Sequence, residues 1–111
     1  MSEGSAGDAA LIWCPFPDEG AARSVATALL AERLIACANL LPGVQSLFAW
    51  QGVPNEGAEC GMLLKTTAPL LDDAMRRLAE LHPYDTPAIT GWTVRADAGT
   101  LQWLGAETRE A

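Results

Sequence analysis

The sequence has few basic residues. Seven Lys and Arg stand against 14 Asp and Glu in 111 residues, giving a formal net charge of −7 and an isoelectric point near 4.4. Proteins that bind duplex nucleic acid generally carry a basic stripe that displaces counterions from the phosphates. Anionic membrane surfaces also attract basic segments. The charge balance therefore argues against both a nucleic-acid partner and a membrane partner.

Targeting and membrane-spanning segments are also missing from the pattern. No Lys or Arg precedes Arg23, so the charged region of a secretory signal is not found. The longest uncharged run, residues 34–55, is interrupted by Pro42-Gly43 and by amide side chains. A spanning helix needs about 20 mostly apolar residues without such interruptions. We therefore expect a cytoplasmic protein.

Cysteine and histidine are scarce. Cys14, Cys37 and Cys60 form no CxxC pair, which argues against a disulfide framework or a structural zinc site. His82 is the only histidine, and the sequence has no GxSxG, GxGxxG or Walker loop. We therefore predict that the protein is not an enzyme and assign no catalytic residue.

The composition that remains is typical of one folded domain. Half of the residues are apolar and 19% are charged, whereas disordered chains combine low hydrophobicity with high charge. Residues 1–8 are small and polar and are expected to form a flexible terminus. A single domain is expected over residues 9–108.

The apolar pattern predicts the order β-α-β-β-α-β followed by a short helix. We predict strands over Ala9–Cys14, Ile35–Leu41 with Val44–Trp50, Cys60–Thr66 and Ile89–Val94. The second and third of these segments form either two strands or one strand bent at Pro42-Gly43. The polar stretch Gln51–Glu59 is predicted to be a loop. Helices are expected to start at Asp18, at Thr67 and at Asp97 or Thr100.

This order favours an α+β fold, the ferredoxin-like βαββαβ sandwich, in which two helices cover one face of an antiparallel sheet. Several strands are apolar at consecutive positions, as in Leu11-Ile12-Trp13 and Met62-Leu63-Leu64. A sheet exposed to water on one side should instead alternate. We therefore expect both faces to be buried, the second by another copy of the chain. The alternative is that the third helix folds back over it.

Two residues are candidate metal ligands. His82 ends the second predicted helix and opens the stretch His82–Pro87, and imidazole is a common ligand of copper and zinc. Cys14 precedes a helix N-terminus, where a thiol pKa is lowered and a soft metal is favoured. The alternatives are a helix-ending histidine bonded to a last carbonyl and a small buried thiol, and the latter is also expected for Cys37 and Cys60. Two ligands do not complete a site, so water, a carboxylate or a neighbouring subunit would have to contribute.

Several sequence blocks resemble those of one known family. They are Cys14–Glu19, Leu30–Asn39, Leu41–Val44, Trp50–Gly52, Leu64–Thr67 and His82–Pro87. Their content and order resemble the CutA family, the divalent-cation tolerance proteins, and the likeness extends from about Leu11 to Leu104.

The resemblance implies a ferredoxin-like protomer in a tight homotrimer and a role in tolerance to divalent metal ions, with copper(II) as the metal and Cys14 and His82 as ligands. This chain departs from the family pattern at three positions. Leu81 replaces a preceding histidine, Ala88 replaces a glutamate, and Leu101 replaces a tyrosine.

The family's trimer is also similar in shape to PII signalling proteins, which bind effectors between subunits. That similarity gives an alternative, a regulatory trimer that binds a small molecule or a protein. The candidate cleft residues are Trp50, Lys65, Tyr84 and Pro87.

Overall fold

The structure is a computed structural model, and it describes residues 8–111. The predicted flexible terminus, residues 1–8, therefore lies outside the described residues except for Asp8. The elements in chain order are β1 Ala9–Phe16, α1 Glu19–Ala31, β2 Cys37–Trp50, β3 Val53–Thr67, a 3-10 turn Ala68–Leu70, α2 Leu71–Leu81, β4 Thr90–Val94 and α3 Ala98–Glu107.

The four strands form one antiparallel sheet in the order β2-β3-β1-β4. This arrangement confirms the predicted α+β, ferredoxin-like βαββαβ fold with a C-terminal helix. The two central strands, β1 and β3, pair along the whole length of β1, from Ala9 opposite Thr67 to Phe16 opposite Cys60. The register places alternate residues of β1 on opposite faces of the sheet.

The hydrophobic core lies between the sheet and the helices α1 and α2. Ile12, Cys14 and Phe16 on β1 are fully buried, as are Met62 and Leu64 on β3. The helices contribute a buried set of their own: Ala22, Val25, Ala26, Leu29, Ala74 and Leu78. Because these residues fill only one side of the sheet, the residues between them on each strand point to the other side.

The β2–β3 hairpin corrects two predictions. Strand β2 is a single strand with an irregularity between Leu41 and Val44, which decides between the two alternatives. The predicted loop Gln51–Glu59 is wrong, because β3 already begins at Val53. Only Gln51 and Gly52 connect the strands, and their φ angles of 51° and 79° are those of the tight turns that join twisted hairpins. Residues 42–58 thus form a two-stranded extension of the sheet, past the part of β3 that pairs with β1. We call this extension the ribbon.

Local sequence sets the helix starts. Asp18 accepts a hydrogen bond from the Ala21 N–H, which confirms the predicted start of α1. Asp97 accepts one from the Thr100 N–H, which decides between the two predicted starts of the third helix in favour of Asp97. The predicted Thr67 cap is wrong, because a 3-10 turn intervenes and the Thr67 side chain makes no capping bond. Strand β1 also continues two residues beyond the predicted end at Cys14.

The sheet face without α1 and α2, which we call the open face, carries apolar side chains. Leu11, Trp13 and Leu63 are half-buried there, and Trp92 is 44% exposed. Helix α3 packs against β3, and Trp92 stays partly exposed, so the third helix does not cover this face completely. None of the helices in residues 8–111 is long and apolar enough to cross a membrane.

Replacing Asp18 with Ala should destabilise the fold by about 1 kcal/mol, because the Ala21 N–H loses its capping acceptor. Urea unfolding at fixed protein concentration measures the change. Ser24→Ala on the exposed side of α1 is the control and should change the free energy of unfolding much less. Equal effects of the two substitutions would contradict the capping role.

Candidate functional site

The ends of β1, α2 and the ribbon meet at one corner. Pro83 stops α2, and His82 at its end adopts an extended backbone with ψ 139°. The imidazole ring then reaches across to β1, where Nε2 lies 2.9 Å from the Pro15 carbonyl oxygen. The other ring nitrogen, Nδ1, accepts a hydrogen bond of 3.1 Å from the Tyr84 N–H. His82 therefore joins α2 to β1 and fixes the first turn of the loop that follows.

These two bonds define the state of the ring. A carbonyl can only accept, so Nε2 carries the proton, and Nδ1 must be unprotonated to accept from an amide. The ring is stacked on Phe16 with centroids 4.2 Å apart and lies 4.9 Å from the Tyr84 ring. Burial lowers the pKa of His82 and outweighs the Pro15 carbonyl and Glu59, which raise it. His82 is thus a neutral Nε2–H imidazole.

Cys14 lies on the core side of β1, two residues from Phe16. Its side chain is fully buried and its Sγ lies 3.6 Å from the Pro15 carbonyl oxygen. Burial, with a smaller contribution from Glu59, raises the pKa of the thiol to about 12. The predicted lowering of this pKa by the helix N-terminus is therefore wrong. The side chain is fully buried in the core, and desolvation of the thiolate dominates.

Glu59 is part of this corner, although it is not among the site residues predicted from the sequence. Its carboxylate accepts a hydrogen bond of 2.8 Å from the Tyr84 hydroxyl. Burial and Glu59 raise the pKa of Tyr84 to about 12, so the hydroxyl stays protonated and donates. Nothing in the local sequence indicates this role, because residues 51–59 have the composition of a loop and only the β2–β3 register brings Glu59 to the corner.

The corner is not a preformed metal site. Within residues 8–111 no group of three His, Cys, Asp or Glu side chains could hold a metal ion. Both nitrogens of His82 are engaged, and the Cys14 thiol is protonated, whereas metal ligands must be deprotonated. The predicted ligands Cys14 and His82 are brought to the same corner, but neither offers a free lone pair of the required kind as it stands.

The other two cysteines differ in environment. Cys60 is buried, as expected, and its Sγ lies 3.6 Å from the Gly61 carbonyl oxygen. Cys37 is only half-buried on the open face and lies 3.6 Å from the Asn39 amide oxygen. The expectation of a buried thiol is therefore met by Cys60 and not by Cys37.

The four candidate cleft residues do not meet within one chain. Trp50 is 52% exposed at the tip of the ribbon. Lys65 pairs with Cys37 at the opposite end of β2, 13 residues from Trp50 and so about 40 Å away along the strand. Tyr84 and Pro87 lie in the loop between α2 and β4. Only different copies of the chain could bring all four together.

The antiparallel sheet, the projecting ribbon and the corner at His82 define a ferredoxin-like protein with an extended hairpin. A family model, CutA1 divalent ion tolerance protein, matches residues 10–107. The chain therefore belongs to the CutA1 family, which is named for ion tolerance and not for an enzymatic activity.

Individual relatives agree with this assignment. The divalent-cation tolerance protein CutA of Pectobacterium atrosepticum is 38% identical over 98% of this chain and 100% of its own length. The crystal structure of CutA1 from Pyrococcus horikoshii is 39% identical, with a TM-score of 0.85 over 91% of this chain and 99% of that one. The protein from Archaeoglobus fulgidus, described as periplasmic, is 26% identical with a TM-score of 0.85, covering 91% and 99% of the two chains.

The single histidine makes the hydrogen-bond assignment directly measurable. Nitrogen-15 NMR of the imidazole at pH 7 should show the neutral Nε2–H tautomer, with a titration midpoint below the ordinary value of 6.5. A folded pKa below the unfolded one means that stability is present above pH 6.5 and falls as the pH drops below it. The neutral Nδ1–H tautomer, or a midpoint above 6.5, would contradict the assignment.

Proposed function

We propose that this protein acts in tolerance to divalent cations as a homotrimer that takes up copper(II) as cargo. The main observation in favour of the assembly is the apolar open face. Trp92 is exposed on it, and Phe48, Trp50 and Val53 are each at least half exposed on the ribbon. By the register, those three side chains lie on the side of the ribbon that continues the open face.

Burial by copies of the same chain accounts for these exposures. Contiguous apolar patches of this kind on a monomer mark interaction surfaces. The sheet also has two open edges, β2 and β4, which present unpaired backbone groups to a further strand. A closed ring of copies covers both edges and both apolar surfaces and leaves no free end.

Sedimentation velocity tests the assembly. At micromolar concentrations we expect a single species of three times the chain mass of 11.7 kDa. A substitution of Trp50 by Glu at the ribbon tip should weaken it, since a charge would then be buried without a partner. Gln45→Glu, on the other side of the ribbon, is the matched control. A stable monomer of the wild-type chain would refute the trimer.

Copper(II) binding is assigned to Cys14 and His82. Both side chains lie at the corner beside the Pro15 carbonyl, and thiolate and imidazole are ligands that suit copper. Uptake requires the Cys14 thiol to lose its proton and the His82 ring to give up one of its two hydrogen bonds. These requirements describe a cargo site that opens for the ion, with a further ligand from water, a carboxylate or another subunit.

Copper(II) titration by calorimetry should show binding by the wild type that is weakened about tenfold or more in Cys14→Ser and in His82→Ala, because each loses a ligand. Cys37→Ser, which alters a half-buried thiol on the open face opposite Lys65, is the control and should bind as the wild type does. Circular dichroism verifies that all variants are folded. Equal, weak binding by every variant would refute the assignment.

A regulatory trimer of the PII type is the second candidate. This proposal is supported by the distance between Trp50 and Lys65 within one chain. A pocket that contains both residues would therefore have to form between two copies of the chain. On this proposal a small effector, and not copper, would bind near Trp50, Lys65, Tyr84 and Pro87. A trimer whose copper affinity is the same in all the variants would favour it. The absence of enzymatic activity and a cytoplasmic location stay predictions.

A further inference from the structure

Gly61 on β3 lies beneath the indole ring of Trp13. A Cβ atom built on Gly61 would overlap Cη2 of Trp13 and lie 3.0 Å and 3.1 Å from Cζ3 and Cζ2. Contacts of this length are tighter than nearly all real Cβ contacts. The six-membered ring of the indole therefore lies against the backbone of β3, in the space that any side chain at position 61 would occupy.

The strand register explains this contact. Trp13 is directly opposite Leu63, and Gly61 precedes Leu63 by two residues on β3, opposite Pro15. All of them belong to the open-face set, because Ile12 and Cys14 point to the core. The indole thus crosses diagonally from β1 to β3, a reach that aromatic side chains have in antiparallel sheets.

Burial of Gly61 supports the same picture. Gly61 is buried although α1 and α2 cover the other face, and the atoms nearest its missing side chain all belong to Trp13. Gly57, four residues earlier on β3, has nothing within 4 Å of a built Cβ. The requirement for glycine is therefore specific to position 61 and does not apply to the strand as a whole.

We infer that Trp13 and Gly61 form a matched pair that keeps the open face flat for docking of a second copy of this chain. This inference rests on the proposed self-assembly and adds the residues that shape the interface. The second copy is the occupant because the open face continues into the exposed apolar side of the ribbon, which carries Phe48, Trp50 and Val53. One chain thus presents two contiguous apolar surfaces, and copies can bury each against the other.

Alanine at position 61 would force the indole away from β3 and raise it above the face. The core on the other side of the sheet would be unchanged, because Trp13 and Gly61 make no part of it. Assembly should therefore be more sensitive to this methyl group than folding is. A bulky side chain held out from a docking surface weakens association because close packing at the centre of an interface is lost.

Sedimentation velocity over a dilution series provides the test, with circular dichroism to verify folding. Gly61→Ala should dissociate at concentrations about tenfold or more above those at which the wild type does. Gly57→Ala is the matched control and should assemble as the wild type does. Wild-type-like assembly of Gly61→Ala would overturn the inference and leave the trimer intact, whereas a monomeric wild type would overturn the proposed function itself.

A second variant covers the case in which Gly61→Ala does not fold. Trp13→Leu keeps the glycine and removes the ring that covers it. The concentration at which this variant dissociates should also rise about tenfold or more. The flat aromatic surface is then replaced by a smaller side chain that leaves the space above Gly61 unfilled. Assembly equal to that of the wild type would overturn the inference.

Discussion

Side chains at successive positions of a strand point to opposite faces of the sheet, and β1 is apolar on both. This constraint divides Leu11 and Trp13 from Ile12, Cys14 and Phe16. The second set builds the core with α1 and α2, and the first set leaves an apolar face that two helices cannot reach. The protomer thus has a packed core on one side of the sheet and an incompletely covered apolar face on the other. The proposed assembly and the role inferred for Trp13 and Gly61 both follow from that division.

The corner at His82 depends on the same strand. The Pro15 carbonyl is placed to accept a hydrogen bond from the Nε2–H of His82 because β1 continues past Cys14 as extended backbone. The ring is then held between Phe16 and Tyr84, and Tyr84 in turn donates to Glu59 at the base of the ribbon. The loop after α2, the sheet and the ribbon are therefore connected through one neutral imidazole. An ion that took a nitrogen of His82 would have to break one of these connections.

Much of the fold was predictable because it is encoded locally. The Asp18 cap, the apolar strand centres and the stop at Pro83 are predictable from neighbouring residues, and the order of the elements already indicates the topology. The ribbon was missed because Gly, Pro and Asn in residues 51–59 indicate a loop, whereas in a two-stranded ribbon exposed on both sides such residues cost little. The partners of His82 and the burial of Cys14 depend on contacts between residues distant in sequence. The raised pKa of Cys14 shows that desolvation overrides its position before a helix.

The two-residue turn at Gln51-Gly52 limits how this hairpin can change in evolution. Because the turn has only two residues, an insertion or deletion in the hairpin must change the length of the paired strands. One residue gained on each strand would carry Phe48 or Trp50 to the opposite side of the hairpin. Homologous hairpins of other lengths that keep their apolar side should therefore differ by even numbers of residues per strand, or carry a compensating bulge.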